Sequence, residues 1–130
     1  MDDDEDQKVF DGMARALKPG GQLVLDVRNR DRILADYRDS SRSEFANGTV
    51  LSCRSSFDIV TGRNVEAYHW RYADGTERDL SAVIRLYTVP ELVRMMKRAG
   101  LALHATFGDY ESGALTVQSK RWILVAVKPL

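Results

Sequence analysis

Cysteine is nearly absent, with Cys53 standing alone in 130 residues. A single thiol excludes an intramolecular disulfide and a zinc site built from several cysteines. Histidine is almost as scarce: there are only two, His69 and His104. No second histidine, cysteine or carboxylate stands at a recognisable ligand spacing from His69, so the sequence offers no metal centre. No apolar run approaches the roughly 18 residues that span a bilayer. The start, Met1-Asp2-Asp3-Asp4-Glu5-Asp6, is the opposite of a basic signal-peptide start. These absences point to a cytoplasmic chain without a membrane partner. An excess of either charge is missing too, since 19 Lys and Arg face 19 Asp and Glu. A dedicated nucleic-acid binder draws much of its affinity from neutralising phosphates, so no nucleic-acid partner is expected. Glycines fall at 12, 20, 21, 48, 62, 75, 100, 108 and 113, and no pair has the one-residue spacing of a G-x-G nucleotide loop.

What is present is ordinary globular material, 44% hydrophobic and 29% charged. The length fits one domain, residues 1–130, able to bury roughly 65–70% of its unfolded surface. Val9, Phe10, Met13, Ala14 and Leu17 recur at helical spacing. Asp4 with Gln7 three residues on reads as a variant capping box at the start of this helix. Lys18 falls in its last turn, and Pro19-Gly20-Gly21 stops it. Leu23, Val24, Leu25 and Val27 then form a nearly unbroken apolar strand, the pattern of a strand covered on both faces. Residues 28–48 are polar, with one short helix around Ile33, Leu34 and Tyr37, and read as a candidate lid or substrate loop.

Residues 49–87 alternate with period two. Leu51, Cys53, Phe57 and Ile59 mark one strand, Glu66, Tyr68, Trp70 and Tyr72 a second, and Leu80, Ala82, Ile84 and Leu86 a third. Turns are expected at Thr61-Gly62-Arg63-Asn64 and Asp74-Gly75. Thr88-Val89-Pro90-Glu91 is a capping box with proline in the first helical turn. The helix it opens carries Leu92, Val93, Met95, Met96 and Ala99 as its stripe and ends at Gly100. Leu101, Leu103, Ala105 and Phe107 alternate as a strand, and Trp122 to Val127 is a last buried strand.

The run Leu17-Lys18-Pro19-Gly20-Gly21, leaving a helix and entering Leu23-Val24-Leu25, resembles the segment around the fifth strand of class I S-adenosylmethionine-dependent methyltransferases. Leu86-Tyr87-Thr88-Val89-Pro90-Glu91-Leu92 through Ala99-Gly100-Leu101 is similar to that family's last crossover helix and sixth strand, and residues 122–128 to its seventh. The resemblance implies an α/β fold, a partial Rossmann-like sheet. It would comprise the family's last three strands and two crossover helices, with an antiparallel three-strand meander inserted. Three segments follow, at residues 4–28, 49–87 and 88–130, and the sheet is expected to be mostly parallel with its seventh strand reversed. The family holds S-adenosylmethionine with its first half, so the implied role is a C-terminal portion supplying the substrate-side wall for a small molecule. No cofactor-binding residue is expected in this chain, and its own affinity for the cofactor should be weak or absent. The first strand would lack a partner on one side, which implies a homodimer or a separately encoded N-terminal half. The start of the chain then reads as a cut within a longer fold. The alternative is a non-catalytic α/β binding or interaction module that pairs with another chain.

Candidate substrate-binding residues follow from position. Asn29 and Arg30 lie just past the carboxyl end of the Leu23–Val27 strand, where open α/β sheets bind ligands. Arg85 and Tyr87 end the meander, and a guanidinium there could grip a carboxylate; a structural ion pair is the plainer reading. His69 has a side chain that titrates near neutrality and so suits a general base, although a lone strand histidine is more often a wall residue. Tyr68, Trp70 and Tyr72 form a stripe that serves either as a stacking wall or simply as the apolar face of a sheet. Cys53 reads as a small buried hydrophobe with no base beside it.

Overall fold

The computed structural model describes residues 2–130, in the order α1 (Asp3–Ala16), β1 (Gln22–Arg28), α2 (Arg30–Ala35), β2 (Ser40–Glu44), β3 (Val50–Asp58), β4 (Arg63–Arg71), β5 (Glu77–Arg85), α3 (Val89–Arg98), β6 (Ala102–Phe107) and β7 (Arg121–Val127). The chain divides into two compact units. One runs to Ala35 and resumes over Tyr87–Leu130; the other is Asp36–Leu86.

The first unit is a three-stranded sheet, ordered β1-β7-β6, with α1 and α3. Both ladders are antiparallel, which corrects the expectation of a mostly parallel sheet. The reason is placement. The reversed strand β7 lies between β1 and β6, so these two run in the same direction but never touch. One face of the sheet carries Leu23, Leu25, Leu124 and Ala126, which pack with Phe10 and Ala14 of α1 and with Leu92, Met95 and Met96 of α3. The apolar run of β1 also reads differently in space. Val24 points away from this core and is 56% exposed, so the strand is covered on one face among the described residues.

Both long helices are capped by their own sequence. α3 begins at the expected box, with the Thr88 side chain accepting from the Glu91 amide and Glu91 accepting from the Thr88 amide at 2.7 Å. α1 begins two residues earlier than the sequence suggested: Asp2 is its cap and Glu5 the reciprocal partner. Its acids sit in the first turn, where the helix macrodipole favours negative charge. α1 ends at Ala16, so Lys18 lies past its last turn. The ammonium of Lys128 satisfies its end instead, donating to the carbonyls of Ala14 and Leu17 at 2.8 and 2.9 Å. The glycine pair beyond it is a close-packed turn. Gly20 has φ of 79°, and a Cβ on Gly21 would meet the Lys18 carbonyl oxygen at 2.8 Å.

The second unit is an antiparallel sheet ordered β2-β3-β4-β5. It has four strands, one more than the alternation predicted. Ser40–Glu44 contains no apolar residue and is exposed throughout, so no hydrophobic pattern betrays it as the edge strand it is. Its pairing with β3 places part of the expected 28–48 loop in regular structure. The Asp74-Gly75 hairpin forms as expected, with Gly75 at φ of 84°. The turn before β4 is held by Asp58, whose carboxylate accepts from the amides of Val60 and Thr61.

Leu124 is fully buried in the first unit's core. Leu124→Ala should destabilise the chain by about 2–5 kcal/mol, through lost transfer energy and the cavity left behind. Urea denaturation followed by circular dichroism checks this, with the midpoint falling and the slope unchanged.

Candidate functional site

Alternation in the second unit separates its side chains into two unlike faces. Asn64, Glu66, Tyr68 and Trp70 of β4 share one face with Leu51, Cys53 and Phe57 of β3 and with Leu80, Ala82 and Ile84 of β5. Val65, Ala67 and His69 occupy the other, beside Ser52, Arg54, Ser81 and Asp79.

The first face holds a chain of buried polar groups. Glu66 is 5% exposed and Asn64 3%. The Tyr37 hydroxyl donates to Asn64 Oδ1 at 2.7 Å, and Asn64 Nδ2 donates to Glu66 Oε1 at 3.0 Å. The Tyr68 hydroxyl donates to Glu66 Oε2. All of these donors lead to one carboxylate, which is how a buried acid offsets its lost hydration. Burial, with the carboxylates of Asp39 and Glu66 nearby, pushes the Tyr37 hydroxyl above the usual phenol value, so it stays protonated and keeps donating. The Tyr37 ring leans on Phe57 at 6.3 Å between centroids. Tyr68 stacks on Trp70 with centroids 5.6 Å apart and planes 26° from parallel. Both rings are half-buried. A fixed acceptor beside a stacked, partly open aromatic pair has the chemistry that a surface for a small organic group would use.

The positions singled out in the sequence fall elsewhere. Asn29, 1% exposed, is enclosed by its own chain. Its Nδ2 donates to the carbonyls of Val117 and Ser119 at 2.8 and 2.7 Å, and its Oδ1 accepts from the Arg32 amide at the start of α2. The 108–120 loop closes further on this strand end, as the Tyr110 hydroxyl and Arg121 both bond the Asp26 carboxylate at 2.7 Å. Those bonds, Tyr110's foremost, hold Asp26 below the usual carboxylate range. Arg30 opens α2. Tyr87 belongs to the first unit and donates to Asp6 Oδ2 at 2.6 Å. Arg85 donates to the Leu86 carbonyl at 2.8 Å, and the register puts it on the same sheet face as His69. His69 lies on the face away from Glu66. Its Nδ1 meets Asp79 at 2.6 Å directly across the strands, and Nε2 lies 3.5 Å from Glu77.

Sequence reading placed Glu66 at the end of an aromatic stripe but passed over it. The available signal was a carboxylate in phase with Tyr68 and Trp70, a position that must bury charge. Tyr37, between two elements, carried no such signal. Among the described residues no group of three or more His, Cys, Asp or Glu could hold a metal ion, and no helix is long and apolar enough to cross a membrane. The amides of Gly20 and Gly21 are engaged, by the Lys128 and Lys18 carbonyls.

The CcbJ methyltransferase from Streptomyces caelestis superposes with a TM-score of 0.88 at 20% identity, over 99% of this chain and 52% of its own. An S-adenosylmethionine-dependent methyltransferase from Clostridium acetobutylicum gives 0.85 at 14% identity, over 99% and 53%. This chain has part of the methyltransferase fold. S-adenosylmethionine-bound CalS10, an amino pentose methyltransferase from Micromonospora echinaspora, also matches, with a TM-score of 0.61 at 20% identity over 96% and 51%. Among curated proteins, "Putative methyltransferase YqeM" of Bacillus subtilis is 25% identical over 93% of this chain and 50% of its own length. No protein-family model matches. The chain thus spans about half the length of the methyltransferases it matches, and the resemblance read from Leu17–Gly21 and Thr88–Glu91 stands.

The Asp79 hydrogen bond, with Glu77 adding to it, raises the His69 pKa above its ordinary 6.5. The stabilisation from this pairing is fully present below the unfolded value and is lost as pH rises through the folded one. Proton NMR of the His69 ring should show a midpoint above 6.5 that falls in Asp79→Asn; an unchanged midpoint would remove Asp79 as the cause.

Proposed function

We propose that this chain is the substrate-side portion of an S-adenosylmethionine-dependent methyltransferase acting on a small molecule, with the Glu66 face of the meander as its substrate wall. The observation that carries the reading is the buried Tyr37–Asn64–Glu66–Tyr68 chain ending at the Tyr68–Trp70 stack. A sheet face that served only as core would gain nothing from a buried carboxylate, which costs free energy to desolvate. Methyltransferase neighbours, one of them acting on an amino pentose, support the assignment. Proximity and exclusion of water carry most of a methyl transfer, and this half contributes by fixing the acceptor molecule.

The cofactor cradle belongs to the other half of the fold in this reading. The sequence has no G-x-G loop, and the Gly20 and Gly21 amides are spent on the Lys128 and Lys18 carbonyls. Asn29, Arg30, Arg85 and Tyr87 then frame and stiffen the units, and His69 lies on the meander's other face. A cytoplasmic setting fits a small-molecule methyltransferase.

The same reading needs a partner. β1 is an edge strand of its sheet, and Val24 is exposed beside it. Such an edge pairs readily with another chain. A homodimer, or a separately encoded N-terminal half, would cover it. A pairing module without catalysis is the second reading, favoured by this edge alone.

The isolated chain should transfer no methyl group from radiolabelled S-adenosylmethionine to small amines, alcohols or thiols; turnover would overturn the division of labour. Light scattering should show self-association that Val24→Lys reverses. A wild-type monomer at every concentration would leave only the separate half as partner.

A further inference from the structure

The last turns of α1 and α3 share a groove of about 350 Å³, lined by Asp11, Ala14 and Arg15 from α1, Arg98 and Ala99 from α3, and Lys128. Lys128 follows Val127, which pairs with Gln22 and Ala102, so the groove lies at the amino ends of β1 and β6. Asn29 marks the other end of β1. Three cations face one carboxylate in the groove. Arg15 and Arg98 are exposed and, among the described residues, make no hydrogen bond or ion pair. Asp11 stands one helical turn before Arg15, yet no ion pair joins the two, and its Oδ1 accepts from Gln7 Nε2 at 3.1 Å. A basic residue in a last helical turn ordinarily serves the open carbonyls and the negative end of the helix dipole. Here other groups meet carbonyls at both helix ends. Lys128 donates to Ala14 and Leu17. The amides of Ala99, Gly100 and Leu101 donate to Met95, Lys97 and Met96. Neither guanidinium is spent on them.

We propose that this groove binds the phosphoryl group of a soluble ligand, held between the Arg15 and Arg98 guanidiniums with the Lys128 ammonium beside them. The proposal is independent of the substrate-wall reading. Three features argue for a phosphoryl group rather than a carboxylate. A guanidinium is a planar, permanently charged fork that matches phosphate oxygens two at a time. A phosphoryl group offers three terminal oxygens and close to two negative charges at neutral pH, so it can engage both forks at once. A carboxylate has two oxygens, which a single fork fills. The charges of the groove act the same way. Asp11 opposes every anion, and in a given net field a dianion gains about twice what a monoanion gains. Lys128 keeps its place whatever binds, because the Ala14 and Leu17 carbonyls take two of the three donors of its ammonium.

The test uses the full chain, isotopically labelled, at pH 7 and constant ionic strength, because salt screens exposed charges. Inorganic phosphate is titrated against chloride, and the side-chain Nε–H signals of Arg15 and Arg98 are followed by NMR. Both should shift saturably with phosphate and not with chloride. The Arg121 signal, tied to Asp26, should stay still. Arg98→Gln should weaken phosphate binding about five-fold or more, and Arg15→Gln likewise. Both positions are exposed, so circular dichroism of the two variants should show an unchanged fold. Acetate should bind more weakly than phosphate; equal binding would overturn the phosphoryl assignment. Glycerol phosphate should compete with inorganic phosphate, and phosphatidylglycerol vesicles should not sediment the chain. Sedimentation with the vesicles would overturn the soluble source. Shifts that follow ionic strength alone, or saturation untouched by either substitution, would overturn the site itself.

Discussion

A carboxylate buried on one face of a sheet has to be supplied with donors, and the second unit is organised around that requirement. Glu66 sits in strict alternation with Asn64, Tyr68 and Trp70, so its side chain cannot turn to water without moving every neighbour on β4 to the wrong face. The strand supplies two of the donors itself, from positions 64 and 68. The third link, Tyr37, comes from outside the ladder and is oriented by Phe57. Once those bonds are made, the Tyr68 ring is fixed, and Trp70 stacks on a ring that no longer rotates freely. Removing the carboxylate would take the acceptor from the buried Asn64 amide, and a buried donor that loses its acceptor costs more than the bond itself contributes.

The first unit obeys a different constraint. β7 is the central strand of its sheet and runs against both neighbours, and its Leu124 and Ala126 are wholly buried between sheet and helices. That core lies on one face of the sheet. On the other side Val24 is exposed and β1 is an edge strand, in a chain that spans about half the length of the methyltransferases it matches. Asn29 shows how the strand's carboxyl end is finished within this half: one buried amide ties the 108–120 loop to the start of α2.

Much of this was legible in the sequence, because the signals were local and strong. The Thr88–Glu91 box, the Pro19-Gly20-Gly21 stop and the Asp74-Gly75 turn each encode one backbone geometry, and each formed. The family resemblance rested on the first two of these, with the strands that follow them. What escaped was either non-periodic or relational. β2 has no apolar residue to mark it. The cap of α1 slid to Asp2 because a run of acids offers several equivalent caps. Asn29 was chosen for its place at a strand end, and only tertiary structure reveals that the chain's own carbonyls occupy its amide. His69 drew attention as a titratable group, while the quieter Glu66 carries the buried network. Its significance depends on Tyr37, 29 residues earlier in the sequence.

The central claim is that this chain holds the substrate side of a methyltransferase fold and leaves the cofactor to the other half. Calorimetric titration of the chain with S-adenosylhomocysteine tests it most directly. The account predicts no saturable heat at micromolar concentration. Saturable micromolar binding would contradict it, since the chain would then rebuild a cofactor site from residues assigned here to other work.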